Sequence, residues 1–294
     1  MQKDIKKIGA HVSAAGGHHK ALERASEIGC NCVQLFSGSP RVWKRPDIAS
    51  IDTEKLSSNK RSLLVEPIFI HSLYLINLAS NKPESVQKSV EALTDELQFD
   101  ALIEGAGVVV HVGSHQGRGF EAVAPQLIES IGEILKQSPA TSHFIIENAA
   151  SRNGKIGGDL SEIAYLLTAL EKQGGYVSSG RLGWCVDTCH AHAAGYNLIA
   201  GADEKLGIDL SGTITKLKLW DSLRCIHVND SKDGLGSYRD RHQNLGEGQI
   251  PSEGFQSFLQ RTEVASIPLI TETPGFDGNG PDAENITRLR AFLQ

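Results

Sequence analysis

Gly183-Trp184-Cys185-Val186-Asp187-Thr188-Cys189-His190 opens as an apolar run, closes that run on an aspartate and places a histidine three residues further on. A short stretch that is apolar throughout, without polar alternation, suits a strand buried on both faces, as in a parallel sheet. If the strand ends at Asp187 and the chain turns into a helix near His190, both side chains are aimed at one mouth. A carboxylate and a neutral imidazole are both good ligands for zinc or manganese. Alone, such a pair is more often a helix cap followed by a surface histidine. The rest of the chain decides between these readings.

Around this stretch the same unit recurs: a short apolar run, a polar turn, then helical spacing. The runs are 8–12, 32–36, 67–71, 108–112, 143–148, 182–187, 223–230 and 267–272. Helical patterns are predicted near 21–28, 53–64, 83–104, 120–136, 160–172, 214–221, 252–261 and 283–293. Pro83 suits a first helical turn, and Asp159 or Ser161 suits a cap. Strict alternation gives an open doubly wound sheet or a closed barrel, and eight units favour a (β/α)8 TIM barrel. An open nucleotide-binding sheet would carry a glycine fingerprint after its first strand, whereas Ser13-Ala14-Ala15-Gly16-Gly17 is neither that nor a phosphate-binding P-loop. With no linker or low-complexity segment in between, residues 1–294 are expected to form one domain.

The 294 residues are 40% hydrophobic, enough for one large core. No apolar run approaches the roughly 20 residues that span a bilayer. Met1 to Lys7 carries basic residues without a signal-peptide core behind them, so a cytoplasmic protein is expected. Cys30, Cys32, Cys185, Cys189 and Cys225 make an odd count without CxxC spacing, which reads as buried reduced thiols. The net charge of −6 speaks against a broad basic surface for nucleic acid. It leaves a phosphate substrate open, because divalent ions bound in a cleft would reverse the local field.

At the C-terminal strand ends of such a barrel, polar residues face the catalytic side. In order they are His71, His111, Glu147, Asp187, His227 and Glu272. His190 joins from the turn after the sixth strand. Asp240 and His242, spaced i and i+2 in the loop after the seventh, are placed to chelate one ion. Singly, each reads as a hydrogen-bonded core histidine or a capping carboxylate. Together, five histidines and four carboxylates at one mouth would be costly without cations, and nine ligands suit two or three ions.

His71-Ser72-Leu73-Tyr74, His111-Val112-Gly113-Ser114-His115, Glu147-Asn148, Asp187-Thr188-Cys189-His190, His227-Val228-Asn229-Asp230, Asp240-Arg241-His242 and Glu272-Thr273-Pro274 resemble the signature of the endonuclease IV family of apurinic/apyrimidinic (AP) endonucleases. The likeness runs from Ile8 to Pro274, with departures at Val112, where many members have proline, and in the loop Ser37 to Arg41. The resemblance implies a TIM barrel with three Zn2+ ions, Mn2+ being acceptable to the same ligands. It implies that His71, His111 and Glu147 hold the first ion, and that Glu147, Asp187, His227 and Glu272 hold the second. His190, Asp240 and His242 would hold the third. His11 and His115 would stand behind the ligands.

It further implies double-stranded DNA with abasic sites or blocked 3′ ends as partner, and Arg41 and Tyr74 as side chains inserted at the lesion, with Trp43 and Leu75 beside them. The reaction implied is hydrolysis 5′ to the abasic sugar, with Glu147 orienting the attacking water and no covalent intermediate. A monomer is expected. The alternative reading on the same barrel is a metal-dependent sugar isomerase or epimerase, which would need fewer ions and would leave Arg41, Trp43 and Tyr74 without a task.

Overall fold

A computed structural model describes residues 6–151 and 154–294. Eight parallel strands close into a barrel: β1 (Ile8–His11), β2 (Cys32–Phe36), β3 (Ile68–His71), β4 (Val108–Val110), β5 (Phe144–Glu147), β6 (Leu182–Asp187), β7 (Leu223–His227) and β8 (Leu269–Thr271). Each pairs with its sequence neighbours, and β8 closes on β1 with Ile8 opposite Leu269. The apolar runs were therefore strands, buried because helices cover the outside and side chains fill the inside.

Helices follow the strands: α1 (His18–Glu27), α2 (Thr53–Leu63), α3 (Pro83–Leu102), α4 (Phe120–Gln137), α5 (Leu160–Gly174), α6 (Thr188–Ala193), α7 (Leu210–Lys216), α8 (Ser252–Leu259) and α9 (Ala283–Ala291). Pro83 is the first residue of α3, and Asp159 caps α5 by accepting the Ser161 N–H. The helix expected over 214–221 lies earlier. Asp209 caps it through the Gly212 N–H, and Lys218, in the left-handed region at φ 57°, closes its end. The segment that follows is a 3-10 turn, Trp220–Ser222.

Two further differences concern the mouth. The seventh run does not continue to Asp230. β7 stops at His227, and Asp230–Ser231 pairs antiparallel with His242–Gln243. This hairpin folds the long loop back over the barrel and returns Asp240 and His242 to the strand ends. His111 and Glu272 lie one residue beyond β4 and β8.

Inside the barrel, Cys32, Phe69, Val109, Ile145, Cys185, Cys225 and Ile270 form one buried apolar layer. Strand side chains alternate, so the residue two positions on returns to the same face one layer higher. From these seven, that step reaches Gln34, His71, His111, Glu147, Asp187, His227 and Glu272. On β1 the same step leads from Gly9 to His11. Gly9 lacks a side chain because a Cβ there would lie 2.4 Å from the Cys32 carbonyl oxygen. The polar ring is thus one storey of the barrel, set on an apolar floor. No helix among the described residues is long and apolar enough to cross a membrane. Met1 to Ile5, which carry most of the N-terminal stretch read for a leader, lie outside the described residues.

Candidate metal centre

Glu147 is the hub of the ring. Its carboxylate is fully buried at the end of β5. Oε2 lies 3.2 Å from His71 Nε2 and 3.1 Å from His111 Nε2. Oε1 lies 3.0 Å from His227 Nδ1, which is also 3.3 Å from Glu272 Oε2. Asp187 Oδ2 is 3.9 Å from the same His227 nitrogen and 3.6 Å from His242 Nε2. A third group gathers on Asp240, whose Oδ1 is 3.1 Å from His190 Nε2 and 3.4 Å from His242 Nε2.

The six strand-end residues and the three from the following turn and loop come together in three sets able to hold an ion, the first two sharing Glu147. These are His71, His111 and Glu147; Glu147, Asp187, His227 and Glu272; and His190, Asp240 and His242. In each set the ligand atoms lie within 4.8 Å of one another.

The imidazoles are turned for this task. His71 Nδ1 donates to the Ser72 carbonyl at 2.9 Å, His190 Nδ1 to the Asn148 carbonyl at 3.1 Å, and His227 Nε2 to Gln34 Oε1 at 2.8 Å. Each such anchor holds one ring nitrogen as a donor and turns the other toward carboxylate oxygens. Lone pairs facing carboxylates repel unless a proton or a cation lies between them. Imidazole and carboxylate donors at this spacing fit zinc or manganese.

Electrostatics agrees with the geometry. Burial works to raise the Glu147 carboxyl. The imidazoles of His111 and His227 and hydrogen bonds from His190 and His227 nevertheless hold it well below the usual range. Burial also disfavours charge on His227, but Glu272 and Glu147 outweigh it and raise that imidazole well above its ordinary value. His111 is the opposite case: burial lowers it to about 4, with Glu147 opposing.

Asp187 is both cap and site residue. Oδ1 accepts the His190 N–H at 2.7 Å, starting α6, while Oδ2 accepts from Asn229 Nδ2 at 2.6 Å. The two readings of the Asp-x-x-His pair are therefore one arrangement, since the cap is what brings His190 to the mouth. His11, expected behind the ligands, does touch one: Nδ1 lies 3.2 Å from Glu272 Oε1. His115 does not stand there. Its Nδ1 accepts the Gly119 N–H at 3.1 Å and serves the loop after β4.

Sequence reasoning missed three residues that orient the set. Gln34 is fully buried, and its Nε2 donates to Glu272 Oε1 at 2.6 Å. Asn229 accepts the Glu272 N–H at 2.7 Å while donating to Asp187. Asn148 accepts the Asp187 N–H at 2.6 Å. Gln34 was visible as the one polar residue inside the second apolar run.

His11, His71, His111 and Glu272 of the ring, with His190, Asp240 and His242, line a cleft of about 950 Å3. Tyr74 and Leu75 line it, 62% and 37% exposed, and the Tyr74 ring meets Phe36 edge-on at 5.4 Å. Arg41 and Trp43 stand on the neighbouring loop, outside the cleft lining. Arg41 is exposed, and Trp43 is half-buried against the core. The Tyr74 N–H bonds the Pro40 carbonyl at 2.9 Å and ties the two segments together.

Residues 22–294 match the family model described as a xylose isomerase-like TIM barrel. The "Probable endonuclease 4" of Halothermothrix orenii is 36% identical over 286 residues, covering 97% of this chain and 99% of the relative. The chain belongs to the endonuclease IV family. That of Haloquadratum walsbyi, under the same name, is 34% identical over 98% of each chain. Among solved structures, endonuclease IV from Thermus thermophilus superposes with a TM-score of 0.80 and 31% identity over 98% of both chains. A D-tagatose 3-epimerase-like protein, at TM-score 0.71 and 18% identity over 98% of this chain and 97% of that one, shares the fold alone with this endonuclease IV family member.

Proposed function

We propose that this endonuclease cleaves the phosphodiester bond 5′ to an abasic site in double-stranded DNA, leaving a 3′-hydroxyl and a 5′-deoxyribose phosphate. The same centre would clear blocked 3′ ends. It would work as one domain over residues 1–294 and as a monomer, with three Zn2+ ions, or Mn2+ in their place. The observation that carries this reading is the position of Glu147, whose two oxygens face two different histidine groups. A carboxylate so placed would serve two ions and could orient a water molecule beside them.

His71, His111 and Glu147 would hold the first ion. Glu147, Asp187, His227 and Glu272 would hold the second, and His190, Asp240 and His242 the third. Ions bound there would lower the pKa of water, neutralise phosphate oxygens and stabilise the departing 3′ oxygen. Glu147 is the catalytic residue of the chain itself. Held ionised by its neighbours, it accepts a hydrogen bond from the attacking water and orients it toward phosphorus. Gln34, Asn148 and Asn229 keep the ligand set rigid, which limits reorganisation during the reaction. Direct attack of water on phosphorus needs no covalent intermediate.

An abasic nucleotide lacks the stacking that holds its neighbours in the helix, so drawing it into the cleft costs less than drawing in a paired one. Tyr74 and Arg41 would fill the gap left behind, as wedges do in other minor-groove binders. Leu75 and Trp43 would back them. The exposure of Tyr74 at the rim supports this role. A sugar epimerase on the same barrel would have no use for the third histidine–carboxylate group or for an aromatic standing out at the rim.

Metal content and sugar turnover separate the two readings. About three zinc ions per loaded chain, with no turnover of ketohexoses, fits the nuclease. One ion per chain with ketohexose epimerisation would overturn it.

A further inference from the structure

Arg45 spends its guanidinium almost entirely on its own loop. Nη2 donates to the Ser39 carbonyl at 2.8 Å and also to the Val42 carbonyl. Nε donates to the Trp43 carbonyl at 3.4 Å, and Nη1 reaches Ser37 Oγ at 3.4 Å. These acceptors stand on both sides of Arg41, so the loop after β2 is wound around one planar cation.

The counter-charge comes from a different element. Glu96 on α3 takes Arg45 Nη1 at 3.0 Å on its Oε1, and the same oxygen accepts the Ser37 hydroxyl at 3.1 Å. The two side chains are 6% and 1% exposed. A buried ion pair of this kind adds little net stability, but breaking it by removing one partner is costly, because the other charge is then stranded. The loop therefore has one well-defined conformation only while both partners are present. A lysine would not replace Arg45, because an ammonium lacks the planar fork that reaches several acceptors at once.

We propose that the Arg45–Glu96 pair is the positioning device for lesion reading: it fixes the loop carrying Arg41 and Trp43 and, through the Pro40 carbonyl, the Tyr74 segment. Neither residue is among the candidate metal ligands, and neither is a catalytic residue. The inference rests on the proposed reading of the protein as an abasic-site nuclease.

The test uses zinc-loaded full-length Arg45→Met and Glu96→Gln, together with the double variant Arg45→Met/Glu96→Leu. The double variant strands no buried charge and so separates loss of the clamp from a folding defect. Four quantities are read: amide exchange over 37–46, zinc content, hydrolysis of bis(4-nitrophenyl) phosphate, and KM and kcat on a duplex with one abasic analogue. The small ester reaches the centre without help from the loop.

Faster exchange confined to 37–46 and the Tyr74 segment is expected, with zinc content and small-ester hydrolysis unchanged. KM for the lesion duplex should rise about 10- to 100-fold, the usual effect of misplacing substrate-positioning groups, while kcat at saturation holds. Wild-type exchange rates over the loop in the double variant would overturn the clamp. An opened loop with unchanged lesion KM would overturn its role in reading DNA. Failure of the wild-type protein itself to cleave the lesion duplex would instead strike the nuclease reading, and the exchange data would still decide whether the clamp exists.

Discussion

Gln34 Nε2 donates to Glu272 Oε1 at 2.6 Å while Gln34 Oε1 accepts from His227 Nε2 at 2.8 Å. One amide thus sets the rotation of two neighbouring ligands, fixing the carboxylate with its donor end and the imidazole tautomer with its acceptor end. Gln34→Ala is expected to lower metal affinity or turnover about 10- to 100-fold, as loss of such outer partners does. Competition against a zinc chelator reads the affinity directly. Unchanged affinity and turnover would mean that the ligands orient themselves.

Glu147→Gln keeps the shape of the hub and removes its charge. Turnover on abasic DNA is expected to fall by about three orders of magnitude or more, the scale on which groups acting at the reacting atoms matter. Binding of the lesion duplex should stay measurable by fluorescence anisotropy. A variant that cleaves at a near-normal rate would remove Glu147 from the mechanism.

Tyr74 projects from the cleft rim with its ring edge on Phe36. Stacking of a base on an aromatic side chain contributes about 1–3 kcal/mol. Tyr74→Ala should therefore weaken the preference for abasic over intact duplex, by about 5- to 150-fold on that scale. Zinc content should not change, because Tyr74 is not among the candidate ligands. An unaltered preference would exclude it from recognition.

The thiols are expected to be silent. All five cysteines are buried, and burial pushes Cys30 and Cys189 up to about 12. At pH 8 the native protein should react with a chromogenic aromatic disulfide only on the timescale of its opening, and titrate all five thiols in denaturant. Rapid titration of a thiol in the native state would contradict the burial of the cysteines.

Much of the fold and of the candidate site is legible in the amino-acid sequence. The barrel was readable because strands buried on both faces leave continuous apolar runs, and eight of them alternate with helical spacing. The site was readable because a histidine or carboxylate closing an apolar run is conspicuous. Gln34 was overlooked since it sits inside its run, where a buried polar residue looks like one more core position. Asn148 lies directly after one ligand and Asn229 two residues after another, and only the turn geometry shows that they bond back to Asp187 and Glu272. The i and i+2 spacing of Asp240 and His242 points to one shared ion, and Asp240 Oδ1 lies 3.1 Å from His190 Nε2 and 3.4 Å from His242 Nε2. The Asp230–Ser231 hairpin that carries them to the mouth rests on two short strands, too short to leave a pattern. α7 starts before the helical spacing suggests because Asp209 caps it, and its left-handed stop at Lys218 has no glycine to announce it.

The most direct measurement is incubation of the zinc-loaded protein with a duplex carrying one central abasic analogue, beside an intact duplex and with and without a strong chelator. Incision on the 5′ side of the lesion alone, leaving an extendable 3′-hydroxyl and abolished by chelation, is the predicted result. An intact lesion strand after incubation with folded, zinc-loaded protein, or incision that persists in the chelator, would contradict the account.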